Sequence, residues 1–312
     1  MKSTVTKPWC WLLLAVLTLT GFSGLSYSAP KKKSKAYRDI NTIGHRVIGY
    51  QSGYGNWYSL DKEKEIGAQV SAEYEKATPL LHDAATQAYL DRLSQTIAQD
   101  SDTQFPITTR VVDSEDSFAQ TLAGGYQYIS GALLLQMENE CELAAVIARG
   151  IAHTSLRSAT GLATWASLMK AMTVPVIFAD GPIASTTSDK DLSVPLTLLK
   201  FSRDDESAAD YFGVQYLYKS GYSTECFISF IQKVWPPQAQ PTAKAFSSFP
   251  PMPERLEPLR REINEILPKQ TTAITNMEKF SAFREHLLTL APPPKPSPKK
   301  PTLLRPEPQN LN

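Results

Sequence analysis

The sequence predicts an α+β domain, mostly helical with a small sheet, and three observations carry that prediction. Apolar side chains recur at helical spacing through most of the middle of the chain. Two short stretches rich in β-branched and aromatic residues interrupt the helices. No internal repeat is visible, and a body of about 230 residues suits one domain.

The elements follow in order. Ile66, Val70 and Tyr74 fall four residues apart, as do Tyr89, Leu93 and Ile97, so each set marks one face of an amphipathic helix. The segments "PITTRVV" (106–112) and "GGYQYIS" (124–130) read as strands. Helical period resumes at Glu140, with Leu143, Ile147 and Ile151 on one stripe and Val146 beside it. Gly161–Ala179 is apolar, but Lys170 and Pro175 argue for a buried or interfacial hairpin over a membrane span. Ser202 is a suitable N-cap for a helix over 203–219 that stops before Gly221. Further helices are expected near 223–234, 254–267 and 273–290.

The flanks differ from this body, residues 61–291. Lys2 and Lys7 precede "WCWLLLAVLTLTGF", an apolar run as long as a signal-peptide core, and Ser26-Tyr27-Ser28 offers a cleavage site before Ala29. Residues 1–28 are therefore expected to be a signal peptide and the protein to be exported, to a bacterial periplasm. The alternative is an uncleaved membrane anchor. No stable span is expected once the signal is removed. Residues 29–60 read as an extended lead-in, in which Lys31-Lys32-Lys33 is a solvated cluster. Residues 292–312 form a Pro- and Lys-rich tail that cannot bury a core. Net charge is +1 and no basic stripe appears, which argues against nucleic acid as a partner.

Removing the leader leaves Cys141 and Cys226. Two buried free thiols are the expectation, because nothing in the sequence places their Cα atoms within bridging distance. A pair is the alternative in an oxidising compartment.

The chemistry concentrates in "ENECELAAVIARGIAH" (138–153) and "KFSRDDESAADYFGVQYLYKSGY" (200–222). A catalytic zinc site takes two His four residues apart on a helix, a Glu after the first His as proton acceptor, and a third ligand from elsewhere. The first helix has His153, with Arg149 and Gly150 where the other two residues of such a motif would stand. The second stacks Glu206 and Asp210 on one face.

These blocks resemble the zinc metallopeptidase family of HtpX, BepA and the CAAX prenyl endopeptidases, in its soluble exported branch. "GNWYSLDKEKEIG" (55–67), "VVDSEDSFAQTLAGGYQYISGALL" (111–134) and "SSFPPMPERLEPLR" (247–260) extend the likeness over nearly the whole body. The resemblance implies a zincin-like fold and zinc as the family's cofactor. It assigns His153 and Glu206 as remnant metal ligands and Asp210 as the carboxylate behind a ligating His. It assigns Gly124, Gly125 and Tyr126 to an edge strand along which substrate lies. A hairpin turn is the plainer reading of the glycines.

The departures decide the functional expectation. Arg149 stands at the first ligand position, Gly150 at the general base, Phe249 at a His and Phe118 at an Asn of the family pattern. A guanidinium has no lone pair to give a metal and repels a dication. Glycine also weakens a helix interior by about 1 kcal/mol relative to Ala. His45, His82 and His286 are not spaced to substitute. Arg149 is instead placed to reach Glu206 and Asp210 and to stand in for the metal as the electrostatic centre. The expectation is an inactive family member in which zinc is lost or weakly held. It would bind extended or misfolded polypeptide of the cell envelope, or a partner protein. The alternatives are a working zinc endopeptidase with an altered site, and a structural subunit with a closed cleft.

Overall fold

A computed structural model describes residues 39–52, 55–171, 203–234 and 252–290. The leader, the Lys31–Lys33 cluster, the second half of the apolar segment, Ser202, Phe249 and the tail lie outside these residues.

The helices are α1 (Leu60–Ala77), α2 (Ala84–Gln99), α3 (Gly131–Gln136), α4 (Glu140–Leu156), α5 (Ser158–Ala171), α6 (Arg203–Lys219), α7 (Glu225–Val234), α8 (Met252–Arg261) and α9 (Met277–Leu290). The strands of the sheet are β1 (Thr108–Val112), β2 (Ala119–Thr121) and β3 (Tyr126–Ser130). The architecture is α+β and mostly helical, as the periodicities imply. Local chemistry sets several helix starts. Ser59 accepts from Lys62 N–H, Asp83 from Thr86 N–H, and Asn139 from Glu142 N–H, each satisfying a donor that the first turn leaves open.

Helix α4 is the axis of the fold: every residue from Glu140 to Leu156 is buried. Its most extensive partner is α6, with α2 and α7 also packed on it. The approach of α6 depends on Gly213. A Cβ there would lie 2.9 Å from the Phe227 ring and 3.1 Å from Arg149 Cα. That absent methylene sets the two backbones side by side at Arg149.

The sheet order is β1-β3-β2. β1 runs parallel to β3, with Thr108 opposite Tyr126; β2 runs antiparallel, with Ala119 opposite Ile129. The stretch 126–130, expected at the edge, is therefore the central strand, and the edge beyond it is β2. A three-residue strand of Ala, Gln and Thr carries too weak a pattern to announce itself. The other edge is covered, since Leu81 N–H donates to Val111 O at 2.9 Å and Asp113 N–H to Pro79 O at 2.9 Å. Along β3, Tyr128 points to α1, where its hydroxyl meets Ser71 Oγ at 2.7 Å, while Gln127 and Ile129 point the other way, towards α4.

Gly124 and Gly125 form the turn between β2 and β3, at φ 73° and 93°. Both the conformation and the space demand glycine, because a Cβ on Gly125 would lie 2.1 Å from Pro106 O.

Four expectations change. Residues 43–58 are no mere lead-in: Ile43 and Ile48 sit in the main core. Arg46 donates to Asp102 through Nε and Nη2 at 3.0 and 2.6 Å. The 254–267 helix is α-helical to Arg261 and continues as a π-turn over Glu262–Ile266. The last helix begins at Met277, because Ile274 is held in a bridge: its N–H donates to Gly221 O, and its carbonyl accepts from Ser223 N–H. Cys141 and Cys226 are joined, not free, with Cα atoms 5.7 Å apart. Neighbouring helices α4 and α7 bring them within bridging distance, which residues 85 apart in sequence do not reveal. In the apolar segment, α5 is a single helix as far as it is described. Among the described residues no helix is long and apolar enough to cross a membrane.

Candidate functional site

Three helices and one strand converge beneath the sheet. α4 supplies Arg149, Gly150 and His153, α6 supplies Glu206 and Asp210, α8 supplies Arg255, and β3 supplies Gln127. The fold thus brings together His153, Glu206, Asp210 and Arg149, as the sequence expects. Gly124, Gly125 and Tyr126 lie apart from them, at the turn and the start of β3.

The centre is a set of opposed charges. Arg149 Nε donates to Asp210 Oδ1 at 2.9 Å, and its Nη2 to Glu206 Oε2. Arg255 grips Asp210 with both tines, Nε to Oδ2 at 2.8 Å and Nη2 to Oδ1 at 2.9 Å. The two-pronged hold on Asp210 is thus made by Arg255, while Arg149 spans the two carboxylates, as its place in the sequence predicts. Arg255 was not singled out from sequence, although it lies inside the block 247–260. Forty-five residues separate it from Asp210, and only tertiary packing joins them.

Burial makes this arrangement consequential. Arg149 is 8% exposed, and Glu206, Asp210, His153 and Arg255 are each 3% exposed. Two guanidinium groups face two carboxyl groups, and that pairing offsets the cost of holding them away from water. Burial alone would raise the Asp210 carboxyl, but Arg255 and Arg149 hold it below the ordinary carboxylate range. Burial, helped by the Arg255 cation, brings the Arg149 guanidinium down to about 10, so it stays charged at neutral pH. Burial first, and the Arg149 cation second, press the His153 imidazole well below its usual value. It is neutral. Its Nε2 lies 3.9 Å from the same Glu206 Oε2 that receives Arg149.

These residues do not fit a divalent metal as they stand. A zinc ion needs three protein donors around one point. Here the described residues offer His153 and Glu206, and no three His, Cys, Asp or Glu among them converge on such a point. The inner side of Glu206 is taken by a guanidinium, a cation with nothing to donate to a metal. Nor does the helix carry a proton acceptor after Arg149. The face of Gly150 is covered by Gln127, whose side-chain amide atoms lie 2.7–2.9 Å from where a Cβ would stand. Gln127 was not foreseen, because a polar residue in a short strand ordinarily marks a solvated face.

Between this cluster and β2 lies a shallow crevice of about 20 Å³, lined by Ala119, Thr121, Gln127, Val146, Gly150 and Phe230, among others. β2 flanks it with backbone. Ser130 N–H donates to Phe118 O and Leu122 N–H to Tyr126 O, so residues 118, 120 and 122 turn their peptide groups to β3. Ala119 and Thr121 turn theirs outward.

A buried helix with His153, a second helix with Glu206 and Asp210 beside it, and a small sheet over both define a zincin-like metallopeptidase scaffold. The family model for Peptidase family M48 matches residues 84–263, and this chain belongs to that family. Among similar proteins, the beta-barrel assembly-enhancing protease of Yersinia pestis is 23% identical over 232 residues, 70% of this chain and 47% of that protein. The protein of the same name in Escherichia coli (strain K12) is 22% identical over 69% of this chain and 46% of its own length. Metalloprotease YcaL of Escherichia coli (strain K12) is 27% identical over 51% of this chain and 63% of that protein. The chain spans less than half the length of the two assembly-enhancing proteases.

Proposed function

We propose that this chain is an exported M48-family protein that no longer hydrolyses peptides and works by holding extended polypeptide against the edge strand β2. The observation that carries the reading is the Arg149 guanidinium lodged between Glu206 and Asp210, where the family pattern calls for a zinc ligand. With a guanidinium at the first ligand position and glycine at position 150, the site lacks both a third metal donor and a proton acceptor with which to activate water. What supports a peptide-facing role is a partly apolar crevice beside β2 and the outward N–H groups of that strand. An extended chain adds to such an edge by main-chain hydrogen bonds, independent of side-chain identity.

The envelope as the place of action has two supports. One is the leader-like apolar run of residues 9–22. The other is the Cys141–Cys226 bridge, which belongs to an oxidising compartment. The relatives' name ties them to β-barrel assembly, and unassembled barrel strands are extended polypeptide of the kind this edge would hold.

The test uses fluorescein-labelled casein, followed by polarisation and by gel. The natural chain binds it and leaves it intact over hours. Thr121→Pro deletes one outward N–H without touching the β2–β3 ladder, and it weakens binding at least about tenfold. Thr121→Val keeps the N–H and binds as before. Casein cut at an enzyme's rate, with cutting abolished by a chelator, would establish instead a working zinc endopeptidase with an altered site. Equal binding by the Pro and Val variants would refute strand addition at β2.

A further inference from the structure

Gln127 sits in the centre of the sheet, 3% exposed, on the face that meets α4. Among the described residues its Nε2 is buried and meets no hydrogen-bond acceptor. A buried amide donor without a protein acceptor destabilises a folded chain, and an apolar side chain of the same length would avoid the penalty. The position is nonetheless built to keep this amide. Its atoms lie 2.7–2.9 Å from the point where any residue at 150 other than glycine would place a Cβ. Gly150 and Gln127 are thus a matched pair: the bare helix turn is what admits the amide.

The amide borders the cleft beside β2. Its neighbours there are apolar (Ala119, Val146, Phe230) or neutral and polar (Gln120, Thr121), apart from Arg149, which is engaged by Glu206 and Asp210. A neutral donor beside a paired cation and otherwise uncharged side chains suits a neutral acceptor. The outward N–H groups of Ala119 and Thr121 already call for carbonyls along the same line. We propose that Gln127 Nε2 donates to a main-chain carbonyl of a polypeptide laid along β2. The helix turn that carries Gly150 would then be a reader of backbone in place of a proton-transfer site. This rests on the peptide-holding reading above and names the residue that recognises the chain.

The experiment measures equilibrium binding of fluorescein-labelled casein to the full chain, with unfolding midpoints taken in parallel. Gln127→Met keeps length and removes the donor. It should bind roughly tenfold more weakly while melting no lower than the natural protein, since it also removes a buried unsatisfied group. Gln127→Glu keeps the shape but turns an acceptor toward the carbonyl, and it should bind at least as weakly as Gln127→Met; it carries the test alone if Gln127→Met does not fold. Binding by both variants within about twofold of the natural chain overturns the role of Gln127 and leaves strand addition standing. A natural chain that does not bind casein overturns the peptide-holding reading and this inference with it.

Discussion

Arg149→Ala should lose about 3–5 kcal/mol of stability in urea denaturation, the range seen when one partner of a buried ion pair is removed. The geometry says which partner suffers. Asp210 keeps the two-pronged hold of Arg255, but Glu206 is left facing a neutral imidazole 3.9 Å away. The penalty is therefore that of one buried carboxylate without its cation. Neutralising it should restore most of the loss: Arg149→Met combined with Glu206→Gln should lie within about 1–2 kcal/mol of the natural chain, because replacing a whole buried pair is far cheaper than halving it. An Arg149→Ala protein as stable as its parent would remove Arg149 as the electrostatic centre of the site.

The second large effect concerns the bridge between α4 and α7. Cys141 and Cys226 are 85 residues apart, so their link closes a long loop in the unfolded chain. The double change Cys141→Ala/Cys226→Ala should cost about 2–4 kcal/mol, read as a lower urea midpoint, and reducing agent should act on the natural chain in the same direction. A double variant with an unchanged midpoint under oxidising conditions would show that the fold does not rely on the bridge.

Much of this was legible in the sequence where the relevant physics is local. The helices announce themselves by period, because Ile66, Val70 and Tyr74, or Leu143, Ile147 and Ile151, must share a face. The Arg149–Glu206–Asp210 cluster was also within reach. Glu206 and Asp210 stack one turn apart, and a buried pair of carboxylates demands a cation. What escaped depends on which elements become neighbours. The order β1-β3-β2 is not written in the pattern of "AQT" and "YQYIS", so edge and centre were exchanged. Arg255 and Arg46 reach carboxylates 45 and 56 residues away, and composition carries no trace of such partners. Gln127 was hidden for a different reason. Its position breaks the rule that a buried strand residue is apolar, and places where such rules fail are often functional.

On the function proposed, a guanidinium has taken the place of a metal at the centre of this site. The most direct measurement is the zinc content of the purified protein, by elemental analysis after dialysis against zinc-containing and then zinc-free buffer, with the unfolding midpoint recorded before and after chelation. Zinc should lie far below one equivalent, under about a tenth, with a midpoint that chelator leaves in place, since an ion that is not held contributes nothing to stability. Close to one tightly held zinc per chain, with a midpoint that falls when it is stripped, would show that a metal still organises the centre.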